Sequence, residues 1–326
     1  MNTEMLYDRK NEAVNMVRLR APAKINLGLD VTGRRENGYH EVSMIMQSLE
    51  LCDEIELIRT EDGRISLTIE DLRGRGSTEI PSDDSNLMCR AASIMRDRFD
   101  LGENALDPGG RKAEFGVSMK LKKRIPSEAG MGGGSADAAA VFLGINSLFS
   151  LGISETELME EGARLGADIP FCIMGGTARA EGIGEKLTPI PAAISEHVLV
   201  IKPVQGMSTP EVYRAYDREA DAGRVIMHPD IDGLERALIA GSMQDISSCM
   251  GNVLEHAVIP RVPVIGRIKE ELSALGAKAC MMTGSGSAVF GLFSDQESMH
   301  RAAQSFGNVP YISELSDIIE TRFLLR

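Results

Sequence analysis

At 326 residues, with 43% hydrophobic and 25% charged side chains and 33 glycines, the chain has an ordinary folded α/β composition and the length of roughly two domains. A formal charge of -13 excludes broad electrostatic attraction to nucleic acid or to an anionic bilayer, so an anionic ligand must be held by a local cluster of donors. The five cysteines (Cys52, Cys89, Cys172, Cys249 and Cys280) stand far apart without a CxxC pair, which supports neither a zinc site nor a disulfide framework, and no stretch approaches the ~20 apolar residues of a membrane span.

Residues 1–15 are polar and aperiodic and read as a flexible extension; that Met16 is the biological start stays open as an alternative. The opening has no apolar signal core, which makes the cytoplasm the expected setting. Strands are expected over 25–31, 41–48, 54–58 and 65–69, between Gly, Asp and Asn punctuation. SDDSNLMCRAASIMRDRF then carries Ser and Asp start signals, with Leu87, Ala91, Ile94 and Met95 at helical spacing, and 102–112 is a loop. A strand over 117–121 leads into a glycine cluster, and a helix over 135–149 leaves it. Helices follow over 155–164, 210–220, 234–240, 263–275 and 296–305, with strands over 198–201, 279–282, 289–293 and 321–325. A composition shift at GGTARAEGIGEKLTPIP puts the domain boundary near Ala178, giving units 16–178 and 179–326.

Gly130, Gly132, Gly133 and Gly134 let the backbone turn sharply and bring its N–H groups close to oxygen anions. The helix that follows adds unpaired amides and the positive end of its dipole, so a polyphosphate fits there without a lysine inside the motif; Lys123 stands just upstream to supply charge. Ser135 and Asp137 are placed for an N-cap or a Mg2+-facing oxygen. A glycine loop made only for flexibility or close packing is the alternative at this point.

GMGGGSADAAA resembles the central motif of the galactokinase, homoserine kinase, mevalonate kinase and phosphomevalonate kinase (GHMP) superfamily. APAKINLGLDV is similar to its first motif and MMTGSGSAVFGLF to its third, in the right order. PAKINL, GRRENGYHEV, IPSDDSNL, KRIPSEAGMGGGSADAA, LGADIPF and GGTARAEGIGEKLTPI further resemble the branch that phosphorylates a cytidine diphosphate-linked polyol; the likeness runs from Val17 to about Phe293.

The resemblance implies an α/β (α+β) two-domain GHMP kinase fold: an N-terminal ATP-binding domain, a smaller ferredoxin-like α+β C-terminal domain, and an active site in the cleft between them. By the same resemblance Asp168 is the catalytic base, and Lys24 polarises the acceptor oxygen. ATP contacts fall on Lys123, Pro126, Gly130, Gly132, Gly133, Gly134, Ser135, Ala136, Asp137, Gly284, Ser285 and Gly286, with Ser135 facing Mg2+. Acceptor contacts fall on Asn26, Tyr39, His40, Gly182, Ile183, Thr209 and Tyr213; His40 meets the cytosine edge, Tyr39 stacks or packs on the ribose, and Tyr213 lies on the opposite face. Gly182 and Ile183 offer backbone groups to the nucleotide. Without the resemblance, Asp168 is a turn residue ahead of Pro170, Lys24 a surface cation, and Tyr213 part of a helix face on a core.

Three departures from the family pattern stand out: the residues before Met16, the long 102–112 stretch, and Ala136 in place of a common second serine. Glu128, close to the expected triphosphate, should point to solvent. Expected partners are small molecules, ATP and the polyol, with no nucleic acid or membrane, for a monomer or weak homodimer. Another small-alcohol kinase of the superfamily and a nucleotide-binding regulator that has lost catalysis are the rival readings.

Overall fold

The structure, a computed structural model, describes residues 3–7, 14–36, 38–74, 79–99, 115–224 and 226–325. The first half comprises β1 (Thr3–Tyr7), β2 (Val14–Arg34), β3 (His40–Thr60), β4 (Ile65–Asp71), α1 (Leu87–Arg98), β5 (Gly116–Lys123), α2 (Gly133–Leu148), α3 (Glu155–Leu165), α4 (Ile169–Met174), β6 (Thr177–Gly182) and β7 (Lys186–Pro189). The second comprises β8 (His197–Pro203), α5 (Thr209–Asp221), α6 (Ile231–Ala240), α7 (Met243–Cys249), β9 (Gly251–Asn252), α8 (Glu255–Val258), α9 (Val264–Ala274), β10 (Ala279–Met282), β11 (Val289–Phe293), α10 (Gln296–Phe306) and β12 (Leu315–Arg322). No helix among the described residues is long and apolar enough to cross a membrane.

Two sheets organise these elements. The larger has eight strands, ordered β1-β2-β3-β5-β4, with β6 also on β3, β7 on β6 and β9 on β2; the smaller is ordered β10-β11-β8-β12. β2 and β3 pair antiparallel from Met16↔Ile58 to Arg34↔His40, with register shifts between Pro22 and Lys24, Asn26 and Gly28, and Val31 and Gly33. Proline cannot donate to a ladder, and such irregularities re-aim side chains. The first two of them flank Lys24 and Asn26.

β2 threads all three hydrophobic clusters: Val17, Leu19 and Ala21 in one, Ala23, Ile25 and Leu27 in the next, Leu29 and Val31 in the third. α2 packs on β2 and β3 through small residues, with Ala136, Ala138, Ala139 and Ala140 fully buried. A Cβ on Gly144 would come within 2.3 Å of Leu57 Cδ1, so the glycine sets how closely the helix approaches. Side chains alternate along a strand. In β8, accordingly, Leu199 and Ile201 join the cluster of α9 and α10, while Val198 and Val200 join α6 and the middle of β2. The small sheet is thereby buried on both faces, clamped against the large one.

Four expectations need correction. Thr3–Tyr7 is a strand, paired from Thr3↔Leu19 to Tyr7↔Val14, so the leader is not wholly a flexible extension. The strands expected over 41–48 and 54–58 are one, because buried Asp53 stays in register with β2 and polar Glu54 with both β2 and β5. Residue 178 falls inside β6, which pairs with β3 from Val42↔Gly182 to Gln47↔Thr177, and the large sheet continues to Pro189, so the composition shift there marks a strand rather than a hinge. The last strand is Leu315–Arg322, earlier than 321–325, because its Ile318 and Ile319 pair with β8. The expected 102–112 loop lies outside the described residues.

Candidate active site

Where the sheets meet, a cavity of about 880 Å³ opens, lined from β2, the glycine loop, the turn before α4, α5 and the loop between β10 and β11. The three sequence motifs converge there through hydrogen bonds. Lys24 N donates to Met131 O at 3.0 Å, Asn26 N to Thr283 Oγ1 at 3.0 Å, and Thr283 Oγ1 to Gly130 O at 3.2 Å. Ser287 N and Ala288 N donate to Glu128 O and Ala129 O at 3.2 and 3.3 Å. Buried Asn252 holds the third loop from behind, donating to Met282 O and Gly284 O at 2.8 Å each.

Glycine is required where two backbones meet. Gly130 has φ 71°, and a Cβ there would lie 2.1 Å from Thr283 O. Gly132, at φ 68° and ψ 20°, is the N-cap of α2 and carries no side-chain acceptor. The first-turn amides of this 16-residue helix are therefore without a side-chain cap, the arrangement that suits an anion. Neither Ser135 nor Asp137 caps the helix, contrary to one expectation. Ser135 lines the cavity, as do Gly130, Gly132, Gly284, Ser285 and Gly286; Pro126, Gly133, Gly134 and Ala136 do not.

Lys123 and Asp137 sit behind this surface. Lys123 Nζ lies 2.6 Å from Asp53 Oδ2 and 2.5 Å from Asp137 Oδ2, all three residues being buried. Asp53 Oδ1 also accepts from Arg124 N and Ile125 N. Two carboxylates thus claim the ammonium expected to face phosphate, and the triad instead ties β3, β5 and α2 together. Burial opposes the Lys123 charge, but Asp137 and Asp53 outweigh it and raise its pKa. The lysine and arginine side chains that line the cavity are Lys24, Arg34 and Arg214.

Lys24 is 4% exposed, which removes the surface-cation reading. Its Nζ donates to Asn26 Oδ1 at 2.8 Å and lies 3.5 Å from Asp168 Oδ2. Asp168 opens α4 with φ −82° and ψ −15°, makes no side-chain cap bond, and leaves its carboxylate 32% exposed toward the cavity. An ammonium oriented by an amide can polarise a hydroxyl, and the accessible carboxylate that faces it can accept that hydroxyl's proton.

At the other end, His40 Nε2 lies 2.7 Å from Asp217 Oδ1, and Arg34 Nη1 3.4 Å from Asp217 Oδ2. The His40 ring stacks on Tyr213 with centroids 4.6 Å apart. Tyr213 thus packs on His40 itself, while Tyr39 is 60% exposed at the cavity wall. Burial, reinforced by Asp168, pushes the Tyr213 phenol up to about 12. Thr209 Oγ1 and Ser285 Oγ are 2.8 Å apart, bridging α5 to the third glycine loop. Ile183 lines the cavity, but its N–H donates to Glu185 Oε2 at 2.7 Å, and Gly182 does not line it; the backbone donor expected there is already engaged. Glu128 is exposed, and at φ 51° it is among the residues that line the cavity.

Sequence reasoning missed Asp217, Arg34, Arg214 and Asn252. Asp217 was within reach, lying one helical turn beyond Tyr213 on the same face. Arg34 faces His40 only through the register of the β2–β3 hairpin.

Residues 86–176 match the GHMP kinases N terminal domain, and residues 234–311 the GHMP kinases C terminal family. The chain is similar to the 4-diphosphocytidyl-2-C-methyl-D-erythritol kinase of Lachnospira eligens, 44% identical over 87% of this chain and 91% of that one. It is also similar to the enzyme of that name from a Geobacillus species, 41% identical over 87% and 90%. Among solved structures, a 4-(cytidine 5'-diphospho)-2C-methyl-D-erythritol kinase superposes with a TM-score of 0.72 at 30% identity, covering 94% of this chain and 98% of that one. A homoserine kinase from Cytophaga hutchinsonii shares the fold, with a TM-score of 0.71 at 17% identity over 99% and 97%.

Proposed function

The chain belongs to the GHMP kinases, and from that premise we propose that it transfers the γ-phosphate of ATP to the 2-hydroxyl of 4-diphosphocytidyl-2-C-methyl-D-erythritol, giving the 2-phosphate and ADP, in the non-mevalonate route to isoprenoid precursors. The observation that carries the chemistry is the 3.5 Å approach of Lys24 Nζ to Asp168 Oδ2 in a cavity shared with the start of α2.

Phosphoryl transfer asks a protein mainly for alignment and for stabilisation of charge. In this reading the first-turn amides of α2 receive the phosphates, and residues 284–286 close over them. Asp168 accepts the proton of the attacking hydroxyl. Lys24, aimed by Asn26, stabilises the charge that develops on oxygen.

Among the described residues no group of three or more His, Cys, Asp or Glu side chains is arranged to hold a metal. The candidate donor is the hydroxyl of Ser135, which lines the cavity; Mg2+ commonly takes one or two protein oxygens and completes its shell with water and phosphate. The Ser135 hydroxyl would hold it, and the ion supplies neutralisation of phosphate charge when bound.

For the acceptor, Tyr39, His40 and Tyr213 offer ring faces and a polar edge suited to cytidine. We place the reaction in the cytoplasm, on small molecules only, with the chain a monomer or weak homodimer. A coupled ADP-release assay with the cytidine-linked polyol, homoserine and mevalonate tests the assignment. Turnover is expected with the first alone; ADP release with another alcohol but not with it overturns the acceptor.

A further inference from the structure

We propose that Asp217 is a specificity-determining positioning residue: it fixes the tautomer of His40 so that the ring presents Nδ1 as an acceptor, selecting a pyrimidine with an exocyclic amine over one with a carbonyl in that place. The proposal rests on the reading that the acceptor carries cytidine.

An ionised carboxylate only accepts hydrogen bonds. With Asp217 Oδ1 at 2.7 Å, the proton of a neutral His40 ring sits on Nε2. Nδ1 then holds a lone pair, and no hydrogen bond among the described residues takes it. The carboxylate is itself fixed, since Arg34 Nη1 stands 3.4 Å from its other oxygen. Ring orientation is fixed as well: Tyr213 stacks on one face at 4.6 Å and 25°, and Tyr216 meets the ring edge-on at 6.4 Å and 85°. Only 9% of the His40 side chain is exposed, and His40 lines the cavity.

Cytosine offers an N4 amine where uracil offers an O4 carbonyl. A lone pair on Nδ1 pairs with the amine and is repelled by the carbonyl. An asparagine at 217 removes the constraint, because its amide can donate to Nε2 and move the ring proton to Nδ1.

The test compares kcat/KM for the cytidine-linked polyol and for its uridine-linked counterpart. In Asp217→Asn the cytidine preference is expected to fall about tenfold or more, the scale of one charge-assisted hydrogen bond. The change should lie in KM for the acceptor, not in KM for ATP, and Asp217→Glu should restore part of the preference. An unchanged ratio in a folded Asp217→Asn protein overturns the proposal. A second measurement needs no variant: 15N shifts of the histidines in the unaltered protein should show the His40 proton on Nε2 alone, and a protonated Nδ1 at assay pH overturns it. If the unaltered protein turns over neither substrate, the cytidine reading itself has failed, which is a separate result.

Discussion

Lys24 Nζ and Asp168 Oδ2 stand 3.5 Å apart although β2 supplies one and the turn before α4 the other. Asn26 Oδ1 takes a hydrogen bond from the same ammonium at 2.8 Å, so the lysine is held from two sides. Replacing Asp168 by Asn keeps the shape and removes the proton acceptor. We expect kcat to fall about 10²–10⁴-fold, the range for a positioned base. ATP affinity, read by calorimetry, should change less than about twofold, because in the proposed reading this carboxylate acts on the acceptor hydroxyl and Asn keeps its shape. Full turnover in the variant would remove Asp168 from the role of base.

The buried triad of Asp53, Lys123 and Asp137 sets a pH dependence of stability. Burial drives the Asp137 carboxyl up to about 8, Lys123 pulls it down, and Asp53 adds to the rise. The folded chain therefore binds this proton more tightly than the unfolded chain, where an aspartate titrates near about 3.9. The resulting stabilisation is complete below that value and is lost as pH rises toward 8, with a limiting slope of about 1.4 kcal/mol per pH unit. Denaturant melts between pH 5 and 9 should show the decline in the unaltered chain and a flatter profile in Asp137→Asn, which leaves Lys123 paired with Asp53. Lys123→Met strands the buried Asp53 carboxylate and should cost about 3–5 kcal/mol at neutral pH. Equal pH slopes in the unaltered and Asp137→Asn proteins would mean that Asp137 does not hold the proton.

What could be read from the residues was what depends on local chemistry. The α2 helix announced itself through its glycine entry and small-residue face, and the Lys24 and Asp168 segments through motifs whose residue types their chemistry demands. Features made by distant pairing were not legible. Asp53 looks like a break in a strand until Arg124 and Ile125 donate to it. Ala178 looks like a hinge until β6 returns to pair with β3. Lys123 looks free until two carboxylates from other elements close on it. Asp217 shows its value only once His40, 177 positions away, is set against it.

Gly130 and Gly152 share a left-handed backbone, with φ 71° and 65°, but differ in surroundings. A Cβ at Gly130 would strike Thr283 O at 2.1 Å, while nothing lies within 4 Å of one at Gly152. Gly152→Ala should cost only the backbone strain, about 1–2 kcal/mol. Gly130→Ala must in addition part the two glycine loops, so a greater loss of Tm and weakened ATP binding are expected together. Similar Tm losses in the two variants, with ATP affinity intact in both, would show that the contact between the loops is dispensable.

Tyr213 separates the contribution of a ring face from that of a hydroxyl. Its ring packs against His40, and its phenol, pushed up to about 12 by burial with Asp168 adding, stays neutral across the working pH range. A neutral phenol adds no charge to the cavity, so Tyr213→Phe should leave the acceptor KM and its pH profile up to about pH 10 nearly unchanged. Tyr213→Ala removes the face that holds the histidine and, in the proposed reading, meets the base. Stacking of this kind is worth about 1–3 kcal/mol, so the acceptor KM should rise roughly tenfold or more while KM for ATP holds. If the Phe and Ala variants lose acceptor affinity equally, the hydroxyl rather than the ring makes the contact, and the stacked arrangement with His40 is not what positions the base.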